Sequence, residues 1–88
     1  MSDDIEVRRR RAAWRAAHRG TKELDLLVGR FADERLPTMT EADLNHFERL
    51  LAVNDPELQS WLLGPQAGQG DPEFADVVAD IRKFHGLG

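Results

Sequence analysis

The sequence predicts an all-α protein, a compact bundle of about five short helices. Three observations predict it. Apolar residues recur three and four apart, as in Leu24, Leu27, Val28 and Phe31. No stretch alternates with the period of two that a half-buried strand requires. Helix-capping residues stand at the head of successive apolar patterns: Thr21, Thr40, Asp55 before Pro56, and Asp71 before Pro72.

The first helix spans Val7 to His18, with Val7, Arg10 or Arg11, Trp14 and Ala17 on one face and arginines over the rest. Trp14 is its only large apolar side chain and is expected to anchor it to the body. Gly20 then ends the helix in a left-handed conformation, with Arg19 where a cation meets the carboxyl end of the dipole. Thr21 caps a second helix, with Glu23 and Asp25 in its first turn, and Pro37 ends that helix after about Leu36. Gly29, inside it, costs roughly 1 kcal/mol against alanine and suits close helix packing. Thr40 and Asp43 open a third helix that buries Leu44, Phe47, Leu50 and Leu51. Asp55 caps the fourth, Pro56 takes its first position, and Gly64-Pro65 closes it beyond Leu58, Trp61 and Leu62. Residues 66–70 form a glycine- and glutamine-rich loop. Asp71-Pro72 starts the last helix, whose stripe is Phe74, Val77, Val78 and Ile81 and whose end lies near Gly86.

Residues 7–86 therefore read as one helical domain and residues 1–6 as a flexible N-terminus. Eighty-eight residues bury a modest core. No run approaches the roughly 20 apolar residues of a membrane-spanning helix, so direct membrane insertion is not expected. The start, Met1-Ser2-Asp3-Asp4, is acidic and does not resemble a secretory or mitochondrial targeting segment. Cysteine is absent, which removes disulfides, thiol catalysis and thiolate zinc sites and suits a reducing compartment.

The net charge of −4 conceals an asymmetry. Residues 1–22 carry seven basic groups and three acidic ones, leaving five basic and thirteen acidic groups for the remainder. A basic end on an acidic body suggests a surface for a partner. The run Arg8–Arg11 invites comparison with phosphate binding. A pI near 5.3 and a single nearby stacking group, Trp14, argue against a nucleic-acid partner. A small regulator that binds nucleic acid or an acidic protein through this helix is the alternative function. His18, His46 and His85 match no metal-ligand spacing. The hydroxyl residues read as caps rather than nucleophiles, so neither a metal site nor an enzyme is expected. Trp61 and the pairs Leu50-Leu51 and Leu62-Leu63 read as core, with one leucine of each pair left to solvent because a helix buries a single stripe. An exposed leucine beside Trp61 marks a contact patch.

Arg19-Gly20-x-x-Glu23 concentrates opposite charges at one corner. Capping accounts for each of its residues, and the same arrangement suits a docking site. Here the sequence resembles a known family. Trp14-Arg15-Ala16-Ala17-His18-Arg19-Gly20-Thr21-Lys22-Glu23-Leu24-Asp25-Leu26-Leu27 is similar to the opening of the SdhE family, the flavinylation factors of succinate dehydrogenase, known in mitochondria as succinate dehydrogenase assembly factor 2. The resemblance continues through Phe31, Phe47-Glu48-Arg49-Leu50-Leu51 and Asp55-Pro56-Glu57-Leu58-Gln59-Ser60-Trp61-Leu62-Leu63-Gly64, covering residues 8–85. His18 stands where many members have a second arginine.

The resemblance implies a five-helix cytoplasmic bacterial protein that binds the flavoprotein subunit of succinate dehydrogenase or fumarate reductase. It implies promotion of covalent FAD attachment to a histidine of that subunit. The FAD is the partner's, and none is held stably by this chain. The implied partner-binding residues are Trp14, His18, Arg19, Gly20, Glu23, Asp25 and Trp61. Arg19 and Glu23 would pair with groups near the partner's flavin pocket, and Gly20 would permit close backbone approach.

Overall fold

A computed structural model describes residues 4–64 and 70–87. Five α-helices follow one another: α1 (Ile5–Ala17), α2 (Lys22–Arg35), α3 (Glu41–Leu51), α4 (Asp55–Leu63) and α5 (Ala75–Phe84). Among the described residues there is no strand. The all-α bundle expected from periodicity is the fold.

Helix α1 begins at Ile5 rather than Val7 because the Asp4 carboxylate accepts the Val7 N–H at 2.9 Å. Its packing face also differs from the expected one. Ala12 and Ala16 are buried, whereas Trp14 is 63% exposed and does not anchor the helix. The reason lies in α2, the element against which α1 packs most extensively. Gly29 of α2 approaches so closely that a Cβ there would lie 3.2 Å from the Ala17 Cα. Small residues permit that approach, and an indole in the seam would force the helices apart.

Thr21 caps α2 by accepting the Leu24 N–H at 3.2 Å. The helix buries Leu24, Val28, Phe31 and Ala32 and gives way at Pro37 to the 3₁₀ turn Leu36–Thr38. α3 starts at Thr40 as expected, and Thr40 and Asp43 cap it reciprocally. Leu50 and Leu51 are both buried, contrary to the expectation that one would face solvent, while Leu62 is buried and Leu63 is 40% exposed. Leu51 lies at the end of α3, where the chain turns back through half-buried Val53 into α4 and encloses it.

The cap of α4 is Asn54 and not Asp55: the Asn54 amide oxygen accepts the Glu57 N–H at 2.9 Å. Pro56 still lies in the first turn, where its missing N–H costs no helical bond. Most of the expected 66–70 loop falls outside the described residues. Asp71 opens a 3₁₀ turn, Pro72–Phe74, that leads into α5. Phe74, Val77, Val78 and Ile81 close the core from this side.

Polar ties hold the layers in register. Arg8 binds Glu48 at 2.8 Å and Glu41 at 3.4 Å, joining α1 to α3. His85 meets the Leu27 carbonyl at 2.7 Å, joining the end of α5 to α2.

Candidate functional site

The corner between α1 and α2, residues 18–21, is held from two sides. From its own helix, Asp25 reaches back so that one carboxylate oxygen accepts the N–H groups of Arg19 and Gly20, the latter at 3.2 Å. From the far side, the Arg19 guanidinium enters the turn between α3 and α4. It donates to the carbonyls of Leu51 and Val53 and pairs with Asp55 at 2.9 Å. Only 8% of the Arg19 side chain is exposed. A cation so enclosed requires its donors satisfied and a counter-charge close by, and both conditions are met.

Gly20 adopts φ +118°, a region that disfavours any residue with a Cβ. A Cβ there would also come within 3.1 Å of Asp55 Oδ2. Both backbone conformation and space therefore require glycine.

The surface around this turn remains open. Trp14 projects outward, and the His18 ring stacks on it with centroids 4.2 Å apart and planes 15° from parallel. His18 Nδ1 lies 2.7 Å from the Trp14 carbonyl. A carbonyl only accepts, so Nδ1 carries the hydrogen and Nε2 is the free ring nitrogen. Trp14, Arg15, His18, Arg19, Asn54 and Asp55 line a shallow recess. One turn into α2, Glu23 is exposed and has no hydrogen-bond or ion-pair partner among the described residues. Leu26, three residues on and on the same helix face, is exposed as well.

The structure thus gathers Trp14, His18, Arg19, Gly20 and Asp25 at one corner, with Glu23 at its edge. Trp61 stands apart. It is half-buried, stacks on Phe74 at 6.1 Å, and lines a second recess with Val53, Asn54 and Gly70. Asn54 borders both recesses and separates them. Sequence reasoning passed over Asp55 as a counter-ion. The available signal was the pair Asn54-Asp55, two capping residues where a helix start uses one.

Several chemistry-bearing residues outside the corner are engaged within the fold. Of the arginine run, Arg8 is turned on Glu48 and Glu41, and Arg9 on Glu6 and the Met39 carbonyl. His46 lies 3.3 Å from Asp76. The Val77 N–H, and secondarily His46, hold the Asp76 carboxyl below the usual aspartate range. Among the described residues no three His, Cys, Asp or Glu side chains are placed to hold a metal ion. No helix of the described residues is long and apolar enough to cross a membrane.

Comparison with known proteins adds a family. A family profile described as "Flavinator of succinate dehydrogenase" matches residues 10–85. The FAD assembly factor SdhE of Acetobacter pasteurianus is 47% identical over 62 residues, covering 70% of this chain and 57% of that protein. The FAD assembly factor SdhE of Legionella pneumophila is 38% identical over 72 residues, 82% of this chain and 87% of that protein. The mitochondrial succinate dehydrogenase assembly factor 2 of Dictyostelium discoideum is 35% identical over 82 residues, 93% of this chain. The matched stretches span just over half the length of the Acetobacter and Dictyostelium proteins, 57% in each case. No solved structure matches.

Proposed function

This chain belongs to the family of flavinators of succinate dehydrogenase, and on that premise we propose that it docks on the flavoprotein subunit of succinate dehydrogenase, or of fumarate reductase, and promotes covalent attachment of FAD to a histidine of that subunit. The work is done in the bacterial cytoplasm, and the FAD belongs to the partner. Attack of a histidine on the flavin methyl position requires orientation of the two groups and stabilised negative charge on the ring. In this reading the chain supplies no reacting group. It holds the partner in a conformation that provides both.

The observation that carries the reading is a turn fixed from both sides beneath an open surface. Arg19 and Asp25 hold the turn, Gly20 lets a partner backbone approach, and Trp14, His18 and Glu23 make the contacts. Trp61, one recess away, extends the surface across Asn54. Glu23 without an internal partner suits a basic group on the flavoprotein, and the exposed indole suits an apolar one.

Glu23→Ala tests this. The helical signal and unfolding free energy are expected to hold within about 1 kcal/mol, because the side chain lies at an exposed helix start. Covalent flavin on the denatured partner subunit, read by in-gel fluorescence, is expected to fall. Full flavinylation by the variant would remove Glu23 from the docking surface.

A further inference from the structure

We infer that Asp55 is a positioning residue of the docking corner, acting through Arg19 to hold Gly20 in place for a partner. The inference rests on the reading of that corner as the docking surface, and it adds a residue from a different helix pair to it.

Four observations converge on Asp55. Asn54 alone caps α4, so the Asp55 carboxylate is not needed for the helix start. Its Oδ1 receives Arg19 at 2.9 Å, and among the described residues no other carboxylate lies within ion-pair distance of that guanidinium. Its Oδ2 faces Gly20, 3.1 Å from where a Cβ would stand. The Arg19 donors left over are directed at the carbonyls of Leu51 and Val53, on the approach to the same helix.

The 18–21 turn therefore lies between two carboxylates with different modes of action. Asp25 binds its main chain. Asp55 binds its side chain and occupies the space a Cβ at Gly20 would need, leaving the other side of Gly20 exposed. Without the Asp55 charge, the Arg19 cation would remain enclosed and uncompensated, and the low cost of returning to water would draw it out. Residues 18–20 would follow, carrying the Trp14–His18 stack with them. Glu23, anchored by the capped start of α2, would keep its own place and chemistry.

The test compares Asp55→Asn, Asp55→Glu and Arg19→Gln, with Glu23→Ala as the reference for docking. Two readouts are used: the amide resonances of Arg19 and Gly20 in the free protein, and the rate of covalent flavin formation on the partner subunit. Asp55→Asn is expected to move both resonances and slow flavinylation about tenfold. Asp55→Glu keeps the charge and recovers part of the rate. In an Arg19→Gln background, Asp55→Asn is expected to add less than about twofold, because both substitutions remove the same interaction. Unmoved Gly20 and Arg19 resonances would overturn the inference. So would independent effects of the two substitutions, or a parental flavinylation rate in Asp55→Asn while Glu23→Ala is slow. If the resonances move but neither Asp55→Asn nor Glu23→Ala changes flavinylation, the docking reading itself fails. Should Asp55→Asn not fold, a parental rate in Asp55→Glu with displaced resonances overturns the inference equally.

Discussion

Two residues of the corner differ in what a substitution removes. Gly20 carries conformational and spatial constraints together, a φ of +118° and the nearby Asp55 carboxylate. Gly20→Arg is expected to lower the unfolding free energy by about 1–3 kcal/mol, since a strained backbone region is forced on a residue with a Cβ. Covalent flavin on the partner should fall with it. A urea midpoint equal to the parent's would show that the turn has another conformation available. Trp14 is the opposite case. Its exposed ring contributes little to the core, so Trp14→Ala is expected to change stability by less than about 1 kcal/mol. Calorimetric titration with the partner subunit should show weaker binding, because an exposed indole is the kind of group that dominates an interface. A large loss of stability in this variant would return Trp14 to the anchoring role that its size alone suggests.

At the scale of elements, the seam between α1 and α2 determines what the corner looks like. Ala12, Ala16 and Gly29 let the helices approach, and this rotates Trp14 onto the outer face. Gly29→Leu would add helix propensity worth about 1 kcal/mol but push a side chain into Ala17. Overpacking a close seam costs about 1–3 kcal/mol, so the net expectation is a lower melting temperature. A raised melting temperature would mean that the seam has slack. The short helices also depend on their caps. Asp4, Thr21, Thr40 and Asn54 each accept an N–H three residues on, and each such cap is worth about 1 kcal/mol.

For the whole molecule, the core is one cluster to which every helix contributes. Phe47 is fully buried and packs 6.0 Å from Phe31 of α2. Phe47→Ala is expected to cost about 3–5 kcal/mol, a large share of the stability of a domain this size. Circular dichroism at 37 °C should show substantial unfolding, and flavinylation should fail through loss of the folded protein. Retained native ellipticity would place the stability elsewhere, in the polar ties of Arg8 and Arg19. The corner that carries the proposed docking surface is in this sense a product of the whole bundle, because Arg19 is held by the turn between α3 and α4.

The helices, and the starts of α2 and α3, were legible in the sequence because their causes are local. Apolar spacing, Thr and Asp caps and the prolines act within a few residues of where they stand, and α2, α3 and the buried stripe of α5 follow from them directly. Trp14, His18, Arg19, Gly20, Glu23 and Asp25 were singled out from the sequence through their composition and their likeness to a family, and Asp55 was not. What only the tertiary structure decided was which way each side chain turns. Trp14 faces water because the close approach of Gly29 admits only alanine between α1 and α2. The Asp55 carboxylate turns away from the helix start, which Asn54 caps, toward an arginine 36 positions earlier in the chain. Both outcomes depend on contacts between distant segments, which pattern within a helix does not encode.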